Sequence, residues 1–207
     1  MATAVKICGI TRVEDALAAV RAGAHAIGLV FCKESPRCIT PAAAGAIIRA
    51  LPPFITTVGV FVDAPADEVR ATLAHAPVEL LQFHGAETPE YCRQFGRPYV
   101  KAVRMGPGMD LLQYARDYHD AKALLLDAYI EGTHGGSGVA FDWSRVPADL
   151  PLPVILSGGL TPENVGDAVR RVRPCAVDVS SGVESARGIK DASRITAFIA
   201  GVRNADL

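Results

Sequence analysis

Val154-Ile155-Leu156-Ser157-Gly158-Gly159-Leu160-Thr161-Pro162 holds one complete strand-to-helix step. The apolar run reads as a short buried strand, the glycine pair as a turn and Thr-Pro as a helix start. Threonine caps the free N–H groups of a first turn, and proline at that place gives up nothing the helix uses. The same device recurs at Thr40-Pro41 and Thr88-Pro89. At the head of the chain, Val5-Lys6-Ile7-Cys8-Gly9-Ile10-Thr11 repeats the step, with Thr11 and Glu14 spaced as a capping box.

Outward from these, apolar runs rich in Val, Ile, Leu and Phe fall at residues 5–8, 25–31, 55–62, 78–83, 99–103, 123–127, 154–157 and 176–179. Between them lie stretches with helical spacing, such as Val13, Leu17 and Val20, or Val165, Val169 and Val172. Eight strand–helix units in 207 residues predict an α/β fold. Its first form is a (β/α)8 TIM barrel, one domain over residues 1–207, with the active site at the C-terminal ends of the strands. A doubly wound open sheet is the alternative. The glycine-rich stretch 129–139 reads as an active-site loop and not a linker.

Half of the residues are apolar, 21% are charged and the net charge is -1. That balance points away from nucleic acid. No uncharged run approaches the roughly 18 residues of a spanning helix, and the N-terminus lacks the pattern of a signal peptide. The cysteines, Cys8, Cys32, Cys38, Cys92 and Cys175, are odd in number and form no Cys-x-x-Cys. A disulfide framework or zinc site is not indicated, and a reducing cytoplasm fits. The chain gives no segment that decides between monomer and homodimer.

Strand alternation adds a constraint. Lys6 shares a face with Cys8, and Asp178 with Ser180. Closure of a barrel makes the first and eighth strands neighbours. Lys6 and Asp178 are therefore expected to point inward and pair, because either charge alone inside costs several kcal/mol.

Two loops carry the clearest chemical signal. Ser157-Gly158-Gly159-Leu160 follows the seventh strand and Val179-Ser180-Ser181-Gly182-Val183-Glu184 the eighth. Glycines let backbone N–H groups approach an anion, and loops seven and eight are where this barrel holds phosphate. Neither is a nucleotide loop. A phosphorylated small molecule is the expected partner. Cys8, at the end of the first strand, is either a tuned catalytic thiol or packing. Asp127 follows Leu124-Leu125-Leu126, so it reads as a partly desolvated general acid or as a loop-anchoring carboxylate. Arg37, in Ser35-Pro36-Arg37, can fork a carboxylate or lie solvated. Gln82 and His84 share an inward face and can hydrogen-bond a ligand, or His84 is structural. Asp63 can cap the helix after Pro65, and Trp143 beside Asp142 reads as a helix-start anchor.

Together, Lys6-Ile7-Cys8-Gly9-Ile10-Thr11, Ser35-Pro36-Arg37, Val58-Gly59-Val60-Phe61, Leu81-Gln82-Phe83-His84-Gly85, Leu126-Asp127-Ala128, Gly135-Gly136-Ser137-Gly138 with Phe141-Asp142-Trp143, Ser157-Gly158-Gly159-Leu160 and Asp178-Val179-Ser180-Ser181-Gly182-Val183-Glu184 resemble the phosphoribosylanthranilate isomerase family. The resemblance spans nearly the whole chain in order. It implies an Amadori rearrangement in tryptophan biosynthesis, without metal or organic cofactor. By that resemblance Cys8 is the general base, Asp127 the general acid and Arg37 the partner of the anthranilate carboxylate. Gly158, Gly159, Ser180, Ser181 and Gly182 then bind phosphate. The helix dipole after Cys8 is expected to favour its thiolate. The alternatives are a dual-substrate relative that also serves the histidine pathway, against which Cys8 argues, and a catalytically silent phosphate-binding barrel.

Overall fold

The computed structural model describes residues 2–128 and 141–206. The loop expected over residues 129–139 therefore lies wholly outside the described residues, as does the Gly135-Gly136-Ser137-Gly138 motif.

Eight parallel strands close into a barrel in sequence order. They are β1 (Ala4–Ile7), β2 (Ala26–Val30), β3 (Thr56–Phe61), β4 (Leu80–Phe83), β5 (Tyr99–Arg104), β6 (Ala123–Asp127), β7 (Val154–Leu156) and β8 (Ala176–Val179). The open-sheet alternative is thereby excluded, since β1 pairs with both β2 and β8. Around the barrel run α1 (Val13–Ala22), α2 (Pro41–Ala50), α3 (Ala66–His75), α4 (Pro89–Arg93), α5 (Leu111–Asp117), α6 (Val165–Val172) and α7 (Ala192–Ala205). Between β6 and β7 the described residues form a single 3-10 turn, Trp143–Arg145, in place of a helix. Trp143 opens that turn and packs against the core, while Asp142 accepts from the Ser144 N–H at 3.0 Å. A short hairpin, β9 (Glu184–Ala186) and β10 (Ile189–Lys190), leads into α7.

Two of the Thr-Pro starts form as read. Thr40 accepts from the Ala43 N–H at 3.2 Å and Thr88 from the Tyr91 N–H at 3.3 Å. Three local expectations fail because another partner wins. Thr11 does not cap α1; its hydroxyl donates to the Gly188 carbonyl at 2.5 Å, and Arg12 takes the cap position. Thr161-Pro162 opens a turn, and α6 begins later, at Val165. Asn164 is the reason. Its Oδ1 accepts from the Thr161 N–H and its Nδ2 donates to the Gly159 carbonyl, each at 2.8 Å. That side chain pins the glycine loop after β7. Asp63 does not cap α3 but accepts from the Ala86 N–H at 2.6 Å, in the loop after β4.

Strand alternation fills the barrel in layers. Leu80, Leu125 and Ile155 stand two residues before Gln82, Asp127 and Ser157 and share their faces. With Val100, Ala102 and Ala123 they form an apolar cluster inside the barrel. The polar layer above it holds the expected pair. Lys6 lies opposite Asp178 in register, with Nζ 2.8 Å from Oδ1 and both side chains buried.

A second buried pair was not read from the sequence. Lys101 on β5 meets Glu87 at 3.0 Å, with side-chain exposures of 1% and 2%. Lys101 also donates to the Gly85 carbonyl at 2.6 Å, and Glu87 accepts from the N–H groups of Asp63 and Gly85. The pair ties β5 to the loop after β4. Lys101→Met leaves a buried carboxylate unpaired and is expected to destabilise the fold by about 3–5 kcal/mol. A fall in the urea midpoint at unchanged m-value measures it, and adding Glu87→Leu is expected to restore only part of the loss, because the Asp63 and Gly85 N–H groups then lack their acceptor.

Candidate active site

Cys8 follows the last residue of β1 and donates its N–H to the Val179 carbonyl at 2.8 Å, joining the mouth of β1 to that of β8. The next two N–H groups, of Gly9 and Ile10, both donate to the Gly28 carbonyl, at 2.9 and 3.0 Å. Gly28 is required there, because a Cβ would lie 2.6 Å from the Cys8 sulfur. The expected helix-dipole effect on the thiol is not supported by this geometry. The N–H groups after Cys8 are already used, and α1 starts only at Val13. Instead, burial pushes the Cys8 thiol up; Lys6 and Lys190 pull it back, and Asp178 adds to the rise. The Lys6 ammonium, for its part, suffers from burial, but the facing charges of Asp178 and Cys8 outweigh that and raise its pKa.

Asp127 closes β6, three strands from β1 by the shorter way round the ring. Its carboxylate is buried, accepting from the Ala128 N–H at 2.9 Å through Oδ1 and lying 3.1 Å from His84 Nε2 through Oδ2. Gly158, at φ +79°, makes room for it: a Cβ there would lie 2.8 Å from Oδ1. Gln82, on β4, and His84, just past it, connect this carboxylate to the other side of the barrel. Gln82 lies 2.9 Å from His84 Nδ1 and 2.9 Å from Lys6 Nζ.

Arg37 is not a solvated surface residue. Its Nε and Nη2 fork Glu184 at 2.7 and 2.8 Å, and Glu184 also accepts from Lys190 at 2.8 Å. The fork expected for a substrate carboxylate is thus filled on one edge by the protein, which leaves Nη1 unspent among the described residues. Hydrogen bonding to Glu184 raises the Arg37 pKa. Burial pushes the Glu184 carboxyl up, but Arg37 and Lys190 overcome it and hold it below the usual range. Sequence reading missed Glu184 and Lys190 as working residues. Their partners lie far along the chain, and no local spacing marks them.

The two glycine loops meet at the remaining side. Gly158 and Gly159 both take positive φ, +79° and +67°. The N–H groups of Gly158, Gly159 and Ser181 donate to no group among the described residues. Lys190 Nζ lies 3.1 Å from the Ser180 carbonyl, so a buried cation backs this loop. Gly182 differs from its expected role. It does not face the cavity; a Cβ there would collide with the Leu160 carbonyl, so its absence lets the loops after β7 and β8 pack together.

One cavity of about 270 Å³ brings the rest together. Cys8, Arg37, Gln82, His84, Asp127, Gly158, Gly159, Ser180 and Ser181 all line it. A thiol, a carboxyl group, a guanidinium and a set of free backbone donors thus face one cleft. That arrangement suits proton removal and proton delivery on a small ligand that carries an anionic group.

The family model described as "N-(5'phosphoribosyl)anthranilate (PRA) isomerase" matches residues 5–201. A curated relative from Nitrosospira multiformis, named N-(5'-phosphoribosyl)anthranilate isomerase, is 58% identical over 98% of this chain and 97% of its own length. A phosphoribosyl anthranilate isomerase solved in complex with reduced 1-(o-carboxyphenylamino)-1-deoxyribulose 5-phosphate superposes with a TM-score of 0.86. It is 40% identical, covering 98% of this chain and 99% of that one. A Thermotoga maritima structure, described as monomers generated from a dimeric phosphoribosylanthranilate isomerase, gives a TM-score of 0.85. It is 38% identical, over 97% and 98% of the two chains.

Proposed function

The chain belongs to the N-(5'-phosphoribosyl)anthranilate isomerase family, and from that premise we propose that Cys8 is the general base and Asp127 the general acid of its reaction. The reaction is the Amadori rearrangement of N-(5-phosphoribosyl)anthranilate to 1-(2-carboxyphenylamino)-1-deoxyribulose 5-phosphate in tryptophan biosynthesis. The observation that carries the assignment is the shared cavity: Cys8 and Asp127 enter it from strands well separated round the ring, beside the two glycine loops.

The steps follow from these positions. The phosphate rests against the N–H groups of Gly158, Gly159 and Ser181, with Ser180 and the Lys190 charge behind them. The anthranilate carboxylate takes the Arg37 edge that Glu184 leaves open. Asp127 gives its proton to the ribose ring oxygen, the C1′–O bond breaks and a Schiff base forms. Cys8, as thiolate, removes the proton from C2′ to give the enolamine, which then ketonises. Turnover of N-(5-phosphoribosyl)anthranilate by the purified protein, followed as loss of anthranilate fluorescence, tests the assignment. An inactive folded protein contradicts it.

The whole chain acts as one domain in this reading, within the cytoplasm and without nucleic acid or membrane as partner. Among the described residues, no helix is long and apolar enough to cross a membrane. One observation favours a homodimer over a monomer. Phe54 is 100% exposed at φ +68°, beside a hollow of about 190 Å³ lined by Ile48, Leu51, Pro52, Pro53, Ile55 and Pro77. The hollow also carries Thr57 and Glu79 on its wall, and a protruding ring beside a hollow lined mostly by apolar residues is a self-complementary feature a two-fold interface can use. Sedimentation equilibrium is expected to give a dimer for the wild type and a monomer for Phe54→Asp; a monomeric wild type overturns this.

A further inference from the structure

We infer that Gln82 and His84 are positioning residues that lock the Asp127 carboxyl group in place, and not ligands of the substrate. This inference rests on the assignment of Asp127 as the acid.

The argument starts from Lys6, whose ammonium can only donate. It lies 2.8 Å from Asp178 Oδ1 and 2.9 Å from the Gln82 oxygen, all three side chains being buried. The orientation of the Gln82 amide is therefore settled. Turned over, it would set N–H groups against a buried ammonium and leave that charge short of a partner. With the oxygen on Lys6, the Gln82 nitrogen must face His84 Nδ1, at 2.9 Å, and donate to it. Nδ1 accepts and carries no hydrogen. The ring hydrogen then sits on Nε2, 3.1 Å from Asp127 Oδ2, and donates to it.

Both oxygens of Asp127 consequently receive one fixed hydrogen bond, Oδ2 from the imidazole and Oδ1 from the Ala128 N–H at 2.9 Å. The plane of the carboxyl group is fixed, and with it the direction in which a proton leaves. The support of His84 is itself rigid. Lys101 donates to the Gly85 carbonyl at 2.6 Å and lies 3.4 Å from that of Phe83, so the residues on both sides of His84 are clamped by the buried Lys101–Glu87 pair. A side chain already committed at both ring nitrogens has no hydrogen-bonding capacity left for a ligand.

The 15N spectrum of the wild-type protein is expected to show His84 Nδ1 as an unprotonated nitrogen and Nε2 as a protonated one. Gln82→Glu keeps the acceptor for Lys6 but loses the donor to the ring, so it is expected to move a hydrogen onto Nδ1. In kinetics, His84→Ala is expected to lower kcat about 10- to 100-fold, the usual effect of a slightly misplaced reacting group, with KM little changed. His84→Gln, whose amide nitrogen reaches the place of Nε2, is expected to recover part of that loss. A hydrogen on Nδ1 in the wild type, or a raised KM with kcat intact in His84→Ala, overturns this inference alone. An inactive wild-type protein overturns the acid–base assignment and this inference with it.

Discussion

Cys8→Ser is expected to lose on the order of 10²–10⁴ in kcat while KM stays near the wild-type value. The substitution keeps the size of the side chain and its place between Gly28 and Val179, so the cavity is not remodelled. On the proposed assignment, what changes is the base. A serine hydroxyl holds its proton far too tightly to accept one from carbon, whereas a thiol gives a usable thiolate. In the free enzyme burial raises the thiol pKa against the pull of Lys6 and Lys190. The sign of the pH dependence follows. The base is active when deprotonated, so kcat/KM rises from neutral into alkaline pH as the thiolate fraction grows. Cys8→Asp supplies a base that is already ionised at neutral pH, and its rising limb is expected at lower pH. If Cys8→Ser turns over like the wild type, the sulfur is not the base.

Asp127→Asn is expected to cost a comparable factor, on the order of 10²–10⁴ in kcat. The amide has the shape of the acid but no proton to deliver to the ring oxygen. It also fits its surroundings less well. Asp127 uses one oxygen for the Ala128 N–H and the other for His84 Nε2. Asparagine can offer an oxygen to one of them, and its NH2 then meets a donor. Asp127→Glu is not a gentler test, because the added methylene moves both oxygens off the Ala128 N–H and His84 Nε2 that hold them. A variant with normal kcat and raised KM would make Asp127 a binding residue. Thermal midpoints close to wild type are needed for either substitution to bear on chemistry.

The sequence carried the fold well where the signal is local or repetitive. The eight apolar runs end within two residues of the strands because each run is bounded by a turn or a cap. Thr40 and Thr88 cap as read because their partners lie three residues away. Thr11 does not, because Gly188, brought close by folding, takes its hydroxyl, and Thr161 does not, because Asn164, three residues on, bonds back to its N–H and delays the helix. The Lys6–Asp178 pair was legible from alternation plus closure of the ring. The Lys101–Glu87 pair was not: Lys101 sits within an apolar run, and nothing in its spacing points to the loop after β4. Arg37 and Glu184 are 147 positions apart, so the edge that Glu184 occupies is visible only in three dimensions. For His84 the inward face was legible, while its bond to Asp127, across two strands, was not.

The proposed roles of Cys8 and Asp127 require that the thiol and the carboxyl group reach one bound sugar phosphate from opposite sides. The most direct measurement is a crystal structure of this chain with reduced 1-(o-carboxyphenylamino)-1-deoxyribulose 5-phosphate, the compound bound in a relative. The phosphate is expected at roughly 2.7–3.2 Å from the N–H groups of Gly159 and Ser181, the sugar C2′ at roughly 3–3.5 Å from the Cys8 sulfur, and the Asp127 carboxyl group on the other side of the chain of carbons. A phosphate held elsewhere, or a sugar that lies out of reach of either Cys8 or Asp127, contradicts the account.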